Sequence, residues 1–114
     1  MPGILNVKQG QPYQRPVQVL SGDGAIAISD GLVYITKGSA AAITLAAPLA
    51  DGYELEVIST TAFAHTLTQT TPGFNNGGTA SDVGTFAAAV GNSIKLRSYN
   101  GVWWVANNVN VTLA

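Results

Sequence analysis

The sequence predicts an all-β fold: an antiparallel β-sandwich or barrel-like domain of short strands, with an extended N-terminal arm. Three observations carry this. Asn100-Gly101 lies between two alternating stretches, and it is the dipeptide a two-residue type I′ hairpin requires, because both central residues need positive φ. Turn clusters separate about nine or ten short stretches at roughly 8–12-residue spacing, the pattern of a sandwich or barrel. No stretch sustains a helical period. The nearest, residues 40–47, is alanine-rich, but Ile43-Thr44 and the closely following Pro48 favour a strand over 42–46.

Residues 1–18 hold three prolines, two glycines and four glutamines. Proline removes backbone donors and drives the preceding residue to an extended conformation. The segment reads as an arm (1–18) ahead of a β-domain (19–114), with one short strand around 4–7. Its apolar residues Ile4, Leu5, Val7 and Tyr13 are the expected contacts to a partner, since a fully solvated tail seldom carries so many. A segment of this kind suits addition to the edge of a partner's sheet.

Within the domain, residues 25–29 and 32–36 alternate around Asp30-Gly31 and read as a hairpin pairing Ile28 with Val33 and Ile26 with Ile35. Residues 53–61 form a strand with Tyr53, Leu55, Val57 and Ser59 on one face and Glu54, Glu56 and Ile58 on the other. Residues 65–70 give a Thr-rich strand. The Gly-rich stretch 71–84 reads as a loop pegged by Phe74. A short strand over 85–90 follows, then the Asn100-Gly101 hairpin, a break at Asn107-Asn108 and a last strand over 109–113. No clean internal repeat is visible. The hairpin pairs Tyr99 with Val102, Ser98 with Trp103, Arg97 with Trp104 and Leu96 with Val105. One face then carries Ile94, Leu96, Trp103 and Val105, a core face. The other carries Lys95, Arg97, Tyr99, Val102 and Trp104. Arg97 can stack on Trp104, and aromatic residues are enriched at interface centres. Arg97, Tyr99, Val102 and Trp104 are therefore the expected subunit interface, the alternative being packing beneath another sheet of the same chain.

Composition narrows the function classes. The 114 residues suffice for one domain with a modest core. Charged residues make up 10% and the net charge is −1, which leaves no basic field for nucleic acid or an anionic membrane surface. Low charge suits a β-protein partly covered by neighbours; a monomer merely poor in charge is the alternative. No cysteine is present, which removes disulfide and thiol chemistry. The first twenty residues lack the apolar core of a signal peptide, and no apolar run is long enough to span a bilayer. The lone histidine, His65, cannot build a transition-metal site alone and reads as a hydrogen-bonded structural residue. Asp51, Glu54 and Glu56 lie close in sequence, but no second cluster completes a glycosidase pair. Asp23, Asp30 and Asp82 fit no calcium-loop spacing. The glycine clusters at 22–24 and 77–78 lack the lysine and the strand-to-helix context of a phosphate loop. No catalytic residue, metal or cofactor is expected.

The order Asp51-Gly52-x-x-Leu55-x-Val57-x-Ser59-Thr60-Thr61, Ala64-His65-Thr66, Gly73-Phe74-Asn75, Thr85-Phe86, Gly91-Asn92-Ser93 and Tyr99-Asn100-Gly101-x-Trp103 resembles small all-β virion proteins of tailed bacteriophages, the capsid decoration (cement) and head-fibre group. The resemblance covers about residues 24–114 and rests on structural motifs. It implies a non-enzymatic homotrimer on the outside of the phage capsid, made in the host cytoplasm, seated at local threefold positions and stabilising the head by binding major capsid protein. Similar segments also suit a tail-fibre or receptor-binding β-module, for which the loop 71–84 would meet a host glycan.

Overall fold

The computed structural model describes residues 14–114; Ile4, Leu5, Val7 and Tyr13 lie outside the described residues. The chain forms β1 (Val17–Leu20), β2 (Gly24–Ala25), β3 (Gly31–Ile35), β4 (Ala42–Thr44), β5 (Glu54–Ser59), β6 (Thr66–Thr68), β7 (Val83–Phe86), β8 (Ser93–Tyr99), β9 (Val102–Val109) and β10 (Val111–Leu113). Two 3₁₀ turns, Phe74–Asn76 and Gly78–Ala80, interrupt the loop between β6 and β7. The strands form two five-stranded sheets, ordered β1-β3-β5-β8-β9 and β10-β7-β6-β4-β2.

The all-β expectation holds, but the antiparallel one does not. Both sheets are mixed. Through β6 the chain changes sheet after every strand, so each return to a sheet is parallel to the strand before it. Residues 17–68 wind as three flattened coils, β1–β2, β3–β4 and β5–β6. The predicted 25–29/32–36 hairpin is absent for this reason. β2 pairs with β4, while β3 pairs with β1 and β5. Ile26 and Ile28 lie on the connection between sheets, where Ile26 is buried and Ile28 packs against the core. A crossing segment with alternate residues turned inward carries the same pattern as a strand.

The second and third coils keep a constant offset of 24 residues in both sheets: Gly31 faces Leu55 and Ile35 faces Ser59, as Ala42 faces Thr66 and Thr44 faces Thr68. This is an internal repeat. At that offset Val33, Thr36, Ala40, Thr44 and Pro48 recur as Val57, Thr60, Ala64, Thr68 and Pro72. From β7 onward the chain reverses: β7 and β10 extend the second sheet, and β8 and β9 the first, all antiparallel.

One core lies between the sheets. Val33, Ile35, Leu55, Val57, Ile94, Leu96 and Trp103 come from the first sheet, and Ile43, Leu67, Phe86 and Val111 from the second. Phe74 enters this core from the β6–β7 loop, as its isolation in a polar stretch predicted. The Trp103 indole donates to the Ala46 carbonyl at 2.9 Å, so the buried ring leaves no polar atom unmatched. The last hairpin has the expected register, with Asn100 and Gly101 both at positive φ. Asn107 and Asn108 do not break the strand. β9 runs through them to Val109, with a register shift opposite Lys95/Leu96, and the turn falls at Asn110, whose φ is 58°. β1 also begins inside the stretch assigned to the arm.

Candidate functional site: the outer face of the first sheet

The alternation that buries one face of the first sheet presents the other. Reading across the register gives three outward rows. Val19, Tyr34, Ile58, Ser93 and Val109 form one; Val17, Leu32, Glu56, Lys95 and Asn107 the next; Glu54, Arg97 and Trp104 the third. Tyr99 closes the face beside the turn. Val17, Val19, Tyr99, Trp104 and Val109 are all exposed, Val19 at 58% and Tyr99 at 63%. The face is thus apolar at the β1 end, charged in the middle and aromatic at the hairpin tip.

The charged middle is organised around Glu54. Its carboxylate meets Arg97 at 2.9 Å, Arg15 at 3.5 Å and Lys95 at 4.0 Å. Arg15 also donates to the Glu54 carbonyl at 2.6 Å and pairs with Asp30 at 3.3 Å. The hydrogen bond from Arg97, with the positive fields of Lys95, Arg97 and Arg15, holds the Glu54 carboxyl below its ordinary value of 4.5, against the opposing effect of desolvation. A carboxyl so held is charged at neutral pH and has no proton to give. It works as an anchor, fastening Arg15, at the root of the arm, to β5 and β8.

Two expectations for this face need correction. Arg97 does not stack on Trp104; its guanidinium is taken by Glu54. The Trp104 indole instead donates to the Tyr99 carbonyl at 3.1 Å and leans toward the turn. Val102, paired with Tyr99 on that side, is only 6% exposed and has almost no surface to offer a partner. Arg97, Tyr99 and Trp104 remain on the outer face.

The other candidate groups sit apart. His65 is fully buried. Its Nδ1 accepts the Ala41 N–H at 3.0 Å, and Nε2 lies 3.0 Å from Thr61 Oγ1, whose hydroxyl donates to the Lys37 carbonyl at 2.7 Å. That network assigns the proton to Nε2 and leaves no lone pair for a metal or a substrate. His65 ties together equivalent bends of the second and third coils. Asp23 accepts from the Ala42 N–H and pairs with Lys37, and both hold its carboxyl below 3.8. Among the described residues no cluster of His, Asp and Glu could hold a metal ion. A shallow groove of about 190 Å³, between residues 26–29 and 45–49 over Trp103, is lined by apolar residues and Ser29, with no titratable side chain. Leu49 at its rim is 91% exposed.

Sequence reasoning missed Gln18, Asn75 and Asn108. Each spends its side-chain amide on a strand edge. Gln18 donates to the Ala25 carbonyl and accepts the Ala27 N–H, at 3.1 and 2.7 Å. Asn108 does the same to the carbonyl and N–H of Val111, at 2.7 and 2.9 Å. Asn75 accepts the Val105 N–H at 2.8 Å. Asn75 at φ 56° carried a weak signal, since asparagine tolerates the left-handed region; the other two carried none. No protein-family model matches the chain, and no curated protein matches it.

Proposed function

We propose that this chain is a structural virion protein of a tailed bacteriophage: a homotrimeric capsid decoration protein that binds major capsid protein and stabilises the head without catalysis. The virion half of the reading comes from the sequence resemblance. The assembly half rests on the outer face of the first sheet, where Val19, Tyr34 and Ile58 form an apolar row across β1, β3 and β5 and Tyr99 and Trp104 stand exposed at the hairpin tip. Contiguous exposed apolar surface of this kind marks contact sites. Burying it contributes about 25 cal/mol per Å², and several weak contacts made by one oligomer multiply.

The test is co-sedimentation of purified protein with phage heads that lack decoration. Saturable binding that raises the temperature of head disruption is expected. Protein that leaves the heads bare, yet binds host cells or their glycans, would overturn the capsid reading in favour of a tail-fibre module.

A further inference from the structure

The two sheets have four edges, and three carry a side-chain amide on their outward backbone. Just past β2, the N–H of Ile26 goes to β4, so Ala25 and Ala27 on either side turn outward, and Gln18 takes the carbonyl of the first and the N–H of the second. In β10, Ala87 N–H bonds Asn110 and Ala114 bonds Val83, so Val111 turns outward, and Asn108 takes its N–H and C=O. In β9, the Val105 N–H is taken by Asn75. Unpaired edges invite another strand, and folded proteins blunt them.

The β1 edge is different. Leu32 N–H bonds the Pro16 carbonyl and Thr36 N–H the Leu20 carbonyl, both at 2.9 Å, which points Pro16, Gln18 and Leu20 at β3. Val17 and Val19 therefore turn their N–H and C=O groups outward. Among the described residues nothing bonds them, and no charge, bulge or internal proline blunts the strand. Both side chains are exposed, and the apolar row continues from Val19 to Tyr34 and Ile58.

We propose that the β1 edge receives a strand from the arm of a second copy of this chain, residues 4–7, so that copies interlock by strand exchange. Thirteen residues precede the described chain, and they join it at the end of β1. The root is fastened: Pro16 is paired to β3, Arg15 is held by Asp30 and Glu54, and Pro16 keeps Arg15 extended. The arm therefore starts out along the strand axis. The nine residues between Val7 and β1 reach roughly 30 Å at full extension, enough to cross to a neighbour. Parallel return onto its own β1 is closed to it, because such a crossover needs about a dozen residues or more. Ile4, Leu5 and Val7 supply side chains to both faces of the added strand, and one set adjoins Val17 and Val19. This inference rests on the assembly part of the proposed function and is independent of the capsid part.

The chain has no cysteine, so single-cysteine variants report cleanly. Ile4→Cys, Leu5→Cys and Val7→Cys are each mixed with Val17→Cys or Val19→Cys in the full chain and oxidised. A disulfide needs Cβ atoms about 3.5–4.5 Å apart. The expected result is a cross-linked pair between copies for at least one combination, and bridges to Val17→Cys should be lost when Val19→Lys or Val19→Pro is added to that same chain with the melting curve retained. Bridging only within a chain that carries both cysteines would assign the strand to the same copy and overturn the proposal. An intact oligomer with no bridge at any pair would overturn the arm's placement while leaving the assembly reading standing; a monomer by light scattering would overturn both.

Discussion

His65 shows how one residue's surroundings fix its behaviour. Burial disfavours the imidazolium and Lys37 adds repulsion, so the group titrates below its ordinary value of 6.5, although its hydrogen bond at Thr61 works the other way. A second proton would also have to displace the Ala41 N–H from Nδ1. The unfolded chain thus takes up a proton before the folded one does. Stability from this residue is complete above pH 6.5 and is lost as pH falls from there through the lowered folded value. Urea midpoints for wild type should drop across that range, whereas His65→Ala should be weaker at pH 8, by about 1–3 kcal/mol for the orphaned N–H, and should lack that slope. The two tryptophans make a second contrast. Trp103→Ala should cost about 3–5 kcal/mol, the range for a large buried aromatic, and Trp104→Ala should leave the melting curve of the isolated subunit nearly unchanged. Equal effects would mean the two faces of β9 had been exchanged.

At the scale of elements, β1 depends on a glycine. Gly31 has φ +128°, and a Cβ there would run into the Pro16 carbonyl. Gly31→Ala should combine backbone strain of about 1–3 kcal/mol with loss of the bond that starts the β1–β3 ladder. Hydrogen exchange should then rise first in β1, with β8 and β9 still protected. This element marks the boundary of what the sequence disclosed. The last hairpin was legible to the residue pair, because Asn100-Gly101 sets a turn and the turn sets the register. The two faces of β5 and the burial of Phe74 were legible from alternation and isolation. The parallel coils were not, since a crossing segment such as 26–30 looks like a strand and Asp30-Gly31 looks like a hairpin turn. What distinguishes them lies far away in sequence: Asp30 accepts the Glu54 N–H, and Gly31 backs onto Pro16. Of the outer-face candidates, Tyr99, Arg97 and Trp104 were placed by alternation, while Val102 fails because its neighbours cover it, which period alone does not encode.

For the whole molecule, the expectation is that Trp104→Asp folds like wild type and lowers the oligomeric mass seen by light scattering, because an unpaired charge in a desolvated contact costs several kcal/mol. A mutant that keeps the wild-type mass would remove Trp104 from the contact. Deleting residues 2–13 should leave the described domain folded, since its ladders, core and Glu54 cluster lie wholly within residues 14–114, and should weaken assembly.

The reversal after β6 also has a consequence for synthesis. Strand β8 is the neighbour that closes β5 in the first sheet, yet it ends 40 residues after β5 does, at Tyr99 rather than Ser59. At about 5–20 residues per second, the nascent chain waits roughly two to eight seconds with its third coil finished on one side only. The parallel half is thus made first and sealed last. A ribosome paused before residue 93 would hold a domain whose growing edge is still open to any passing strand, including that of a sister chain on the same message.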